Sequence, residues 1–190
     1  MPTPPRTSIE AIVRAGRAIL DADGLDALTM QRVAAAVGVR APSLYKRVRD
    51  RDALVRLIAA DVVEDLAATL RGAVGSGDPR ADLRVLAPAF RSWAHRHPGS
   101  FALLFARLPD AWRLDAEAGR GALDAMFQTV AAIAGPDHVL EAARTVVAWA
   151  SGFVSMELAG AFRLGGDVEA AFTYGVARVT EAIAGPGQPG

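Results

Sequence analysis

Residues 29–51 read TMQRVAAAVGVRAPSLYKRVRDR, and they hold two short helical patterns joined by a glycine. In the first pattern, apolar residues recur three, four and seven positions after Met30, and Thr29 stands before it as an N-cap. Gly38 tolerates the positive φ that ends such a helix, and Pro42 suits the first turn of the next one, where a missing N–H is no loss. The stretch therefore predicts two short helices connected by a tight turn.

The second of these helices has an apolar side and a polar side. Leu44 and Val48 lie four residues apart, so we expect both to face the interior. Ser43, Lys46 and Arg47 then project outward. A short helix with hydroxyl and cationic groups on its exposed side is suited to enter the major groove of duplex DNA and to hold phosphates. The pair of helices is therefore predicted to be a helix-turn-helix that reads DNA.

The run over residues 24–54 resembles the N-terminal domain of TetR-type transcriptional repressors, and the similarity extends over about residues 9–60. The features that stand at the spacing of the family are Leu28-Thr29, Gly38-Val39, Pro42, Leu44-Tyr45 and Ala53-Leu54. Two positions depart from the commonest pattern of the family. Val48 stands where a phenylalanine is frequent, and Arg51 stands where a lysine is frequent. Both substitutions preserve the character of the position.

The resemblance implies which residues form the DNA interface. It assigns phosphate contacts to Thr29, Tyr45 and Arg51. The residues that it places near base edges are Gln31, Ala41, Pro42, Ser43, Lys46 and Arg47. Arg40 joins this set as a further cation within the motif. The resemblance also implies a dimeric repressor.

The rest of the chain is predicted to be helical. The 190 residues are 52% hydrophobic, which is ample for a core, and no alternating strand pattern recurs. We expect an all-α fold of about nine helices, the first of them capped by Thr7 or Ser8. Residues 7–54 are assigned to a helix-turn-helix domain, 55–77 to a connecting helix and linker, and 78–185 to a ligand-binding and dimerisation domain.

The formal net charge of zero conceals an uneven distribution. Residues 1–60 contain 10 Arg or Lys and 6 Asp or Glu, a net of +4. The remaining residues carry 11 basic and 15 acidic side chains, a net of −4. A local excess of positive charge is sufficient for phosphate binding. The basic N-terminal part therefore fits a partner of double-stranded DNA.

Several classes of protein are disfavoured by what the sequence lacks. It has no cysteine, so disulfides and thiolate metal sites are excluded, and this fits a reducing cytoplasm. The opening MPTPPRTS has no apolar run of a signal peptide, and no apolar stretch reaches the ~18 residues of a membrane span. His95 and His97 would face different sides of a helix, and His138 stands alone. We expect a cytoplasmic protein without metal or cofactor, and no enzyme, since no acid pair accompanies a nucleophile.

The last two helical patterns indicate a dimer. From Asp137 to about Phe162 the chain is apolar nearly all round, so this helix must be buried on several sides. Residues 168–184 form a second apolar stripe. Pairing both helices with their copies would make a four-helix bundle and a homodimer. A dimer would also give the protein two half-sites on a palindromic operator.

The C-terminal part is also a candidate for binding a small apolar effector. Ten side chains are predicted to line its cavity: Trp93, His97, Phe101, Phe105, Trp112, Met126, Trp149, Phe153, Met156 and Glu157. Glu157 or His97 would be the polar anchor. A filled core remains the alternative for these aromatic residues. The region also resembles a subset of the same repressors that carry Trp and His-Gly in the penultimate helix, although Ser151 replaces the histidine here.

Two other classes of function remain open from the sequence. The first is a helical ligand-binding module that has lost DNA binding, which the cations at Lys46, Arg47 and Arg51 disfavour. The second is a helical enzyme, which the missing catalytic cluster disfavours. Salt-dependent binding to duplex DNA distinguishes the first from a repressor, and turnover of a bound compound distinguishes the second.

Overall fold

The computed structural model describes residues 8–107, 109, 112 and 116–184. These residues form nine α-helices and no strand, so the predicted all-α fold is confirmed. The helices are α1 Ile9–Asp23, α2 Met30–Ala36, α3 Ala41–Tyr45, α4 Arg51–Arg71, α5 Pro79–Arg96, α6 Pro98–Phe105, α7 Ala116–Ala134, α8 Val139–Leu158 and α9 Val168–Ala182. A short 3₁₀ turn, Pro136–His138, precedes α8.

Local capping defines the helices of the N-terminal part, largely as predicted. The Ser8 hydroxyl accepts a hydrogen bond from the Ala11 N–H at 3.1 Å, and the Thr29 hydroxyl accepts one from the Arg32 N–H at 3.2 Å. The Asp50 carboxylate accepts from the Ala53 N–H at 2.8 Å. Gly38 has a φ of 73° directly after α2, which a side chain would disfavour. These caps confirm the predicted helix starts and the tight turn between α2 and α3. Thr7, the alternative cap of α1, lies outside the described residues.

The predicted end of α8 at about Phe162 is wrong. The helix ends at Leu158 because Gly160 adopts a φ of 61°. The Ala161 N–H then donates to the Met156 carbonyl at 2.8 Å, which closes the last turn.

The chain packs as two compact units. The first comprises Met1–Asp65 and His97–Gly119, and the second comprises Leu66–Arg96 and Arg120–Gly190. In the first unit, α1 packs against both α2 and α6. The predicted domains 7–54, 55–77 and 78–185 remain a prediction, and their outer limits at residues 7 and 185 lie outside the described residues.

The second unit has two apolar clusters. In the larger, Leu83 of α5 packs with residues of α7, α8 and α9. In the smaller, Ala87 of α5 packs with Phe172 and Val176 of α9 and with Trp149 and Phe153 of α8. The apolar stripe of α9 is therefore covered largely within its own chain. In the described part of the chain, no helix combines the length and the apolar character that crossing a membrane requires.

Candidate DNA interface and helical body

The recognition helix α3 presents its polar side to solvent. The helix ends at Tyr45, so the prediction that it continues through Val48 is wrong: Lys46 is its C-cap, and the N–H groups of Arg47 and Val48 close a turn on the Leu44 carbonyl at 2.9 Å. Leu44 in the helix is fully buried and Val48 just beyond it is 2% exposed, and together they anchor this segment to the first unit. Ser43, Lys46 and Arg47 are exposed, as predicted. Because Leu44 and Val48 are buried, the side of this segment that faces solvent is fixed by packing rather than by charge. The helix and the turn that follows it therefore offer the Ser43 hydroxyl and the cations of Lys46 and Arg47 to a ligand.

The other predicted DNA contacts lie on α3 itself, on α2 and at the caps of these two helices. Gln31, Arg40 and Pro42 are exposed, and Tyr45 is 51% exposed. Arg40 is the N-cap residue of α3 but makes no side-chain cap bond, so its guanidinium is not used to close the helix. Ala41 is half-buried. Thr29 is exposed as the cap of α2. Their contacts with DNA stay predictions.

The six cations of the motif differ in whether a carboxylate neutralises them. Arg32 pairs with Asp23, and the Arg49 Nε lies 2.7 Å from Asp50 Oδ2. Within the part of the chain that the structure describes, no ion pair involves the three exposed side chains Arg40, Lys46 and Arg47. These three are therefore the cations available to phosphates.

The Arg49–Asp50 pair serves the start of α4. The Ala53 N–H, followed by Arg49, lowers the pKa of the Asp50 carboxyl. The hydrogen bond to Asp50 raises the pKa of Arg49. The carboxylate remains ionised and continues to cap the helix. Arg49 is therefore paired within the protein. The sequence alone did not show that it differs in this respect from the neighbouring cations.

Arg51, a predicted phosphate contact, is largely engaged within the protein. Its Nε donates to the Leu28 carbonyl and one terminal nitrogen donates to the Leu25 carbonyl, both at 2.8 Å. The Trp112 ring lies over the guanidinium, with 5.2 Å between the guanidinium carbon and the ring centroid. These two carbonyls lie in the segment that leads into α2. Arg51 therefore joins the start of α4 to the start of the helix-turn-helix.

Comparison with known proteins identifies the family. The sequence profile of bacterial regulatory proteins of the tetR family matches residues 12–58, and that of the tetracyclin repressor-like C-terminal domain matches residues 83–179. The second match alone covers half of the chain. The chain belongs to the TetR family.

Relatives and solved structures agree with this assignment. An uncharacterised HTH-type transcriptional regulator of Mycobacterium tuberculosis is 38% identical over 107 residues, which are 56% of this chain and 48% of that protein. The chain thus spans about half the length of the curated relatives it matches. A structure of a protein of unknown function from Rhodococcus sp. RHA1 has a TM-score of 0.79 at 26% identity, covering 93% of this chain and 95% of the other. The curated relatives that the chain matches are transcriptional regulators of the HTH type.

A TetR variant from Acinetobacter baumannii AYE in complex with minocycline shares the fold. Its TM-score is 0.67 at 21% identity, and the match covers 91% of this chain and 94% of that chain. At this level of identity the likeness concerns the fold alone.

Four of the predicted ligand-binding side chains lie in the first compact unit of this TetR-family chain. His97 Nδ1 lies 3.2 Å from the Asp21 carboxylate. Phe101 is buried, and its ring centroid lies 5.0 Å from that of Phe105, which is 45% exposed. The Trp112 Nε1–H donates to Asp52 Oδ1 at 2.7 Å. His97 and Trp112 thus have polar partners from α1 and α4.

The other six lie in the second unit, and they do not share one cluster. Met126 belongs to the larger cluster, whereas Trp149 and Phe153 border the smaller one. Trp93 is 1% exposed and Met156 is 48% exposed. The described contacts therefore bring Trp149 and Phe153 together, with a centroid distance of 5.8 Å. Their role in ligand binding stays a prediction.

Glu157, the predicted polar anchor, is part of an ionic network that the sequence did not reveal. Its carboxylate accepts hydrogen bonds from Arg91 Nε at 2.9 Å and lies 2.9 Å from His95 Nε2. Arg91 also contacts Glu169, and its guanidinium carbon lies 4.6 Å from the centre of the Phe172 ring. The bond to Arg91 is the main cause that lowers the pKa of Glu157, and the same bond raises the pKa of Arg91. The network joins α5, α8 and α9.

Metal ligation has no support in the part of the chain that is described. No group of three or more His, Cys, Asp or Glu side chains there is arranged to hold a metal ion. His95 and His97, the closest pair in sequence, bind different carboxylates, Glu157 and Asp21.

Proposed function

We propose that this chain is a one-component repressor that binds a palindromic operator as a homodimer and leaves it when a small apolar molecule binds. Its membership in the TetR family and its similarity to an HTH-type transcriptional regulator support DNA binding. The proposed regulator acts by binding and not by catalysis, and it is located in the cytoplasm.

The observation that carries the proposal is the pair of exposed cations in the turn that ends α3. Lys46 and Arg47 are exposed without ion pairs in the described residues, while Leu44 and Val48 hold the helix in place. An ammonium and a guanidinium at the end of a helix that buried residues hold in place suit phosphates and the guanine edge in the major groove. A ligand-binding module without DNA would have no use for this arrangement.

Selection of duplexes from a random-sequence library tests the proposal directly. The purified protein is expected to enrich a palindrome whose half-sites are about one helical turn apart. Affinity for the enriched duplex should fall steeply with salt, because phosphate contacts release counterions. Recovery of unenriched sequences, with affinity that salt does not change, would favour the module that lacks DNA binding.

The dimer is supported by the outer side of the last two helices. Leu140 and Met156 of α8 are 48% exposed, and Tyr174 of α9 is 68% exposed. Gly152 and Met156 lie four residues apart and share one exposed side of α8, whereas Leu140 lies in the first turn of the helix and on a different side. Exposed apolar surface on neighbouring helices is commonly covered by a partner. A second copy would cover it with α8 and α9 of its own.

The effector is proposed to bind beside the smaller cluster of the second unit. Trp149 stacks on Phe172 with a centroid distance of 5.3 Å, and Phe153 meets the same ring edge-on at 5.1 Å. Trp149 and Phe153 are only half-buried, so part of their surface is open to a ligand. The Acinetobacter TetR variant that shares this fold was solved in complex with minocycline.

A screen of aromatic compounds by tryptophan fluorescence tests the effector proposal. A compound that quenches the fluorescence of Trp149 should lower the affinity of the protein for the selected duplex. By linkage, the duplex should lower the affinity for the compound by the same factor. Trp149→Ala should lower affinity for the compound more than affinity for the duplex. A screen that yields neither quenching nor release of the duplex would favour a filled core.

A further inference from the structure

We propose that Trp112 is a positioning residue for the DNA interface: it holds Arg51, and through Arg51 the segment that leads into α2. The sequence placed Trp112 in an effector cavity. The inference rests on the DNA-binding function of the first unit, and it concerns how the helix-turn-helix is kept in its binding arrangement.

The first step is the set of groups that Arg51 holds. Two of its nitrogens donate to the carbonyls of Leu25 and Leu28 at 2.8 Å. Leu28 is fully buried and directly precedes Thr29, the cap of α2. A guanidinium that spans two carbonyls fixes their separation, because its donors are set in a planar fork. The entry to α2 is thus fixed relative to the start of α4.

The second step is how Trp112 orients Arg51. The indole ring covers the guanidinium at 5.2 Å, and the indole N–H donates to the carboxylate of Asp52, the next residue, at 2.7 Å. The ring is half-buried, so it shields one side of the guanidinium from water. A cation beneath an aromatic ring keeps its donors directed to the edge, toward the two carbonyls. One side chain therefore contacts two consecutive residues at the start of α4.

The third step is that α6, which comes shortly before Trp112 in the chain, is itself fixed to α1. The Asp21 carboxylate accepts a hydrogen bond from the Ser100 N–H at 2.7 Å and lies 3.2 Å from His97 Nδ1. Gly99 allows the two backbones to touch, since a Cβ there would overlap the Leu20 carbonyl. Thus α6 contacts α1, and Trp112 contacts α4. These two helices precede and follow the helix-turn-helix in the chain, so their positions constrain where it lies.

Two pairs of variants test the role of Trp112, with the duplex recovered by selection as the probe. Trp112→Ala removes both the ring and the N–H, and it should weaken binding about tenfold, within the range typical of coupled sites. Trp112→Phe keeps a ring over Arg51 and should fall between this variant and the wild type. Circular dichroism and the thermal midpoint should show that the helices are retained.

The second pair of variants distinguishes the effect of the Trp112–Asp52 hydrogen bond from the effect of the Asp52 charge. Asp52→Asn and Asp52→Ala remove the same negative charge, so both change the attraction of phosphates equally. The asparagine keeps an oxygen that accepts from the indole, and the alanine does not. Binding should therefore be weaker in Asp52→Ala than in Asp52→Asn, and combining Asp52→Ala with Trp112→Phe should add little to the loss.

The outcomes distinguish this inference from the proposed function. Equal binding by wild type and Trp112→Ala, or by the two Asp52 variants, would overturn the inference and leave the repressor intact. Failure of the wild type to select any duplex would overturn the repressor itself. Should Trp112→Ala not fold, the two Asp52 variants decide the matter alone.

Discussion

At the scale of the residue, the cations of the helix-turn-helix differ in what they already bind. Arg32, Arg49 and Arg51 have partners within the protein, whereas Lys46 and Arg47 do not among the described residues. A charge that a carboxylate already neutralises contributes little to phosphate binding. The sequence shows six cations in one motif, and the division between structural and available ones depends on carboxylates that only the fold places beside them.

Lys46→Ala and Arg47→Ala are expected to weaken binding to the selected duplex without unfolding the protein, because neither side chain is buried. A phosphate contact should weaken all sequences alike and lower the salt slope by about one, whereas a base contact should relax one operator position by ~1–3 kcal/mol. Electrophoretic mobility shifts at several salt concentrations measure both effects. Arg56→Ala, an exposed cation of α4, is the control and should change affinity less. Unchanged affinity in both the Lys46 and the Arg47 variant would contradict the assigned role of α3 and the turn that ends it.

Glu157 should make the stability of the second unit depend on pH. Its pKa is lowered in the folded protein, chiefly by Arg91, so its contribution is complete above the ordinary carboxyl pKa of about 4.3 and is lost as the pH falls through the lower, folded value. Glu157→Gln should therefore be less stable than wild type by about 1–3 kcal/mol at neutral pH. The stabilities of wild type and Glu157→Gln should become equal at acidic pH, where the carboxylate is protonated.

Thermal midpoints between neutral and acidic pH measure this difference. Glu141→Gln, an exposed carboxylate of the same helix, should follow the wild type at every pH. A constant gap between Glu157→Gln and wild type down to acid pH would exclude the ionic origin.

At the scale of the helix, close backbone contact places α6 on α1. Gly99→Ala should destabilise the first unit by ~1–3 kcal/mol, because a Cβ would meet the Leu20 carbonyl and backbone atoms do not yield easily. Gly16→Ala is the matched control. Its Cβ would lie 2.6 Å from Ile58 Cδ1, the end of a flexible side chain that is able to rotate away. Thermal unfolding should rank Gly99→Ala below Gly16→Ala, and the reverse order would show that the contact with α1 is loose.

The helices themselves were largely predictable, because their signals are local. Caps such as Ser8, Thr29 and Asp50 act within three residues, and the stripe of α2 repeats over two turns. The attachment of α6 and Trp112 to α1 and α4 was not predictable, since its hydrogen bonds join residues 60 and 79 apart in sequence. The sequence pattern around an aromatic residue does not distinguish one that lines a cavity from one that covers an arginine.

At the scale of the whole molecule, the surface available for a dimer is the one that the chain does not cover itself. The stripe of α9 that first suggested an interface includes Val176, which is 6% exposed and packs with Ala87 and Phe172. A charge at Val176 would therefore disturb the core of one subunit and would not isolate an interface. The proposed interface lies instead on the exposed side of α8 that carries Gly152 and Met156 and on the neighbouring surface of α9.

Gly152 allows that interface to be tested without damage to the subunit. No atom lies within 4 Å of the position that its Cβ would occupy, so a long side chain there faces open space in one chain. In the proposed dimer the same side chain would enter the partner's helices and place a charge among apolar groups. Gly152→Arg is therefore expected to be a folded monomer in analytical ultracentrifugation, where the wild type sediments as a dimer at micromolar concentration. Gln128→Arg, which adds the same charge on the exposed side of α7, should remain dimeric.

The monomeric variant should also bind the palindrome far more weakly than the dimeric wild type does, because each helix-turn-helix then engages its half-site alone. A dimeric Gly152→Arg would move the interface away from this side of α8, and a monomeric wild type would contradict the dimer altogether.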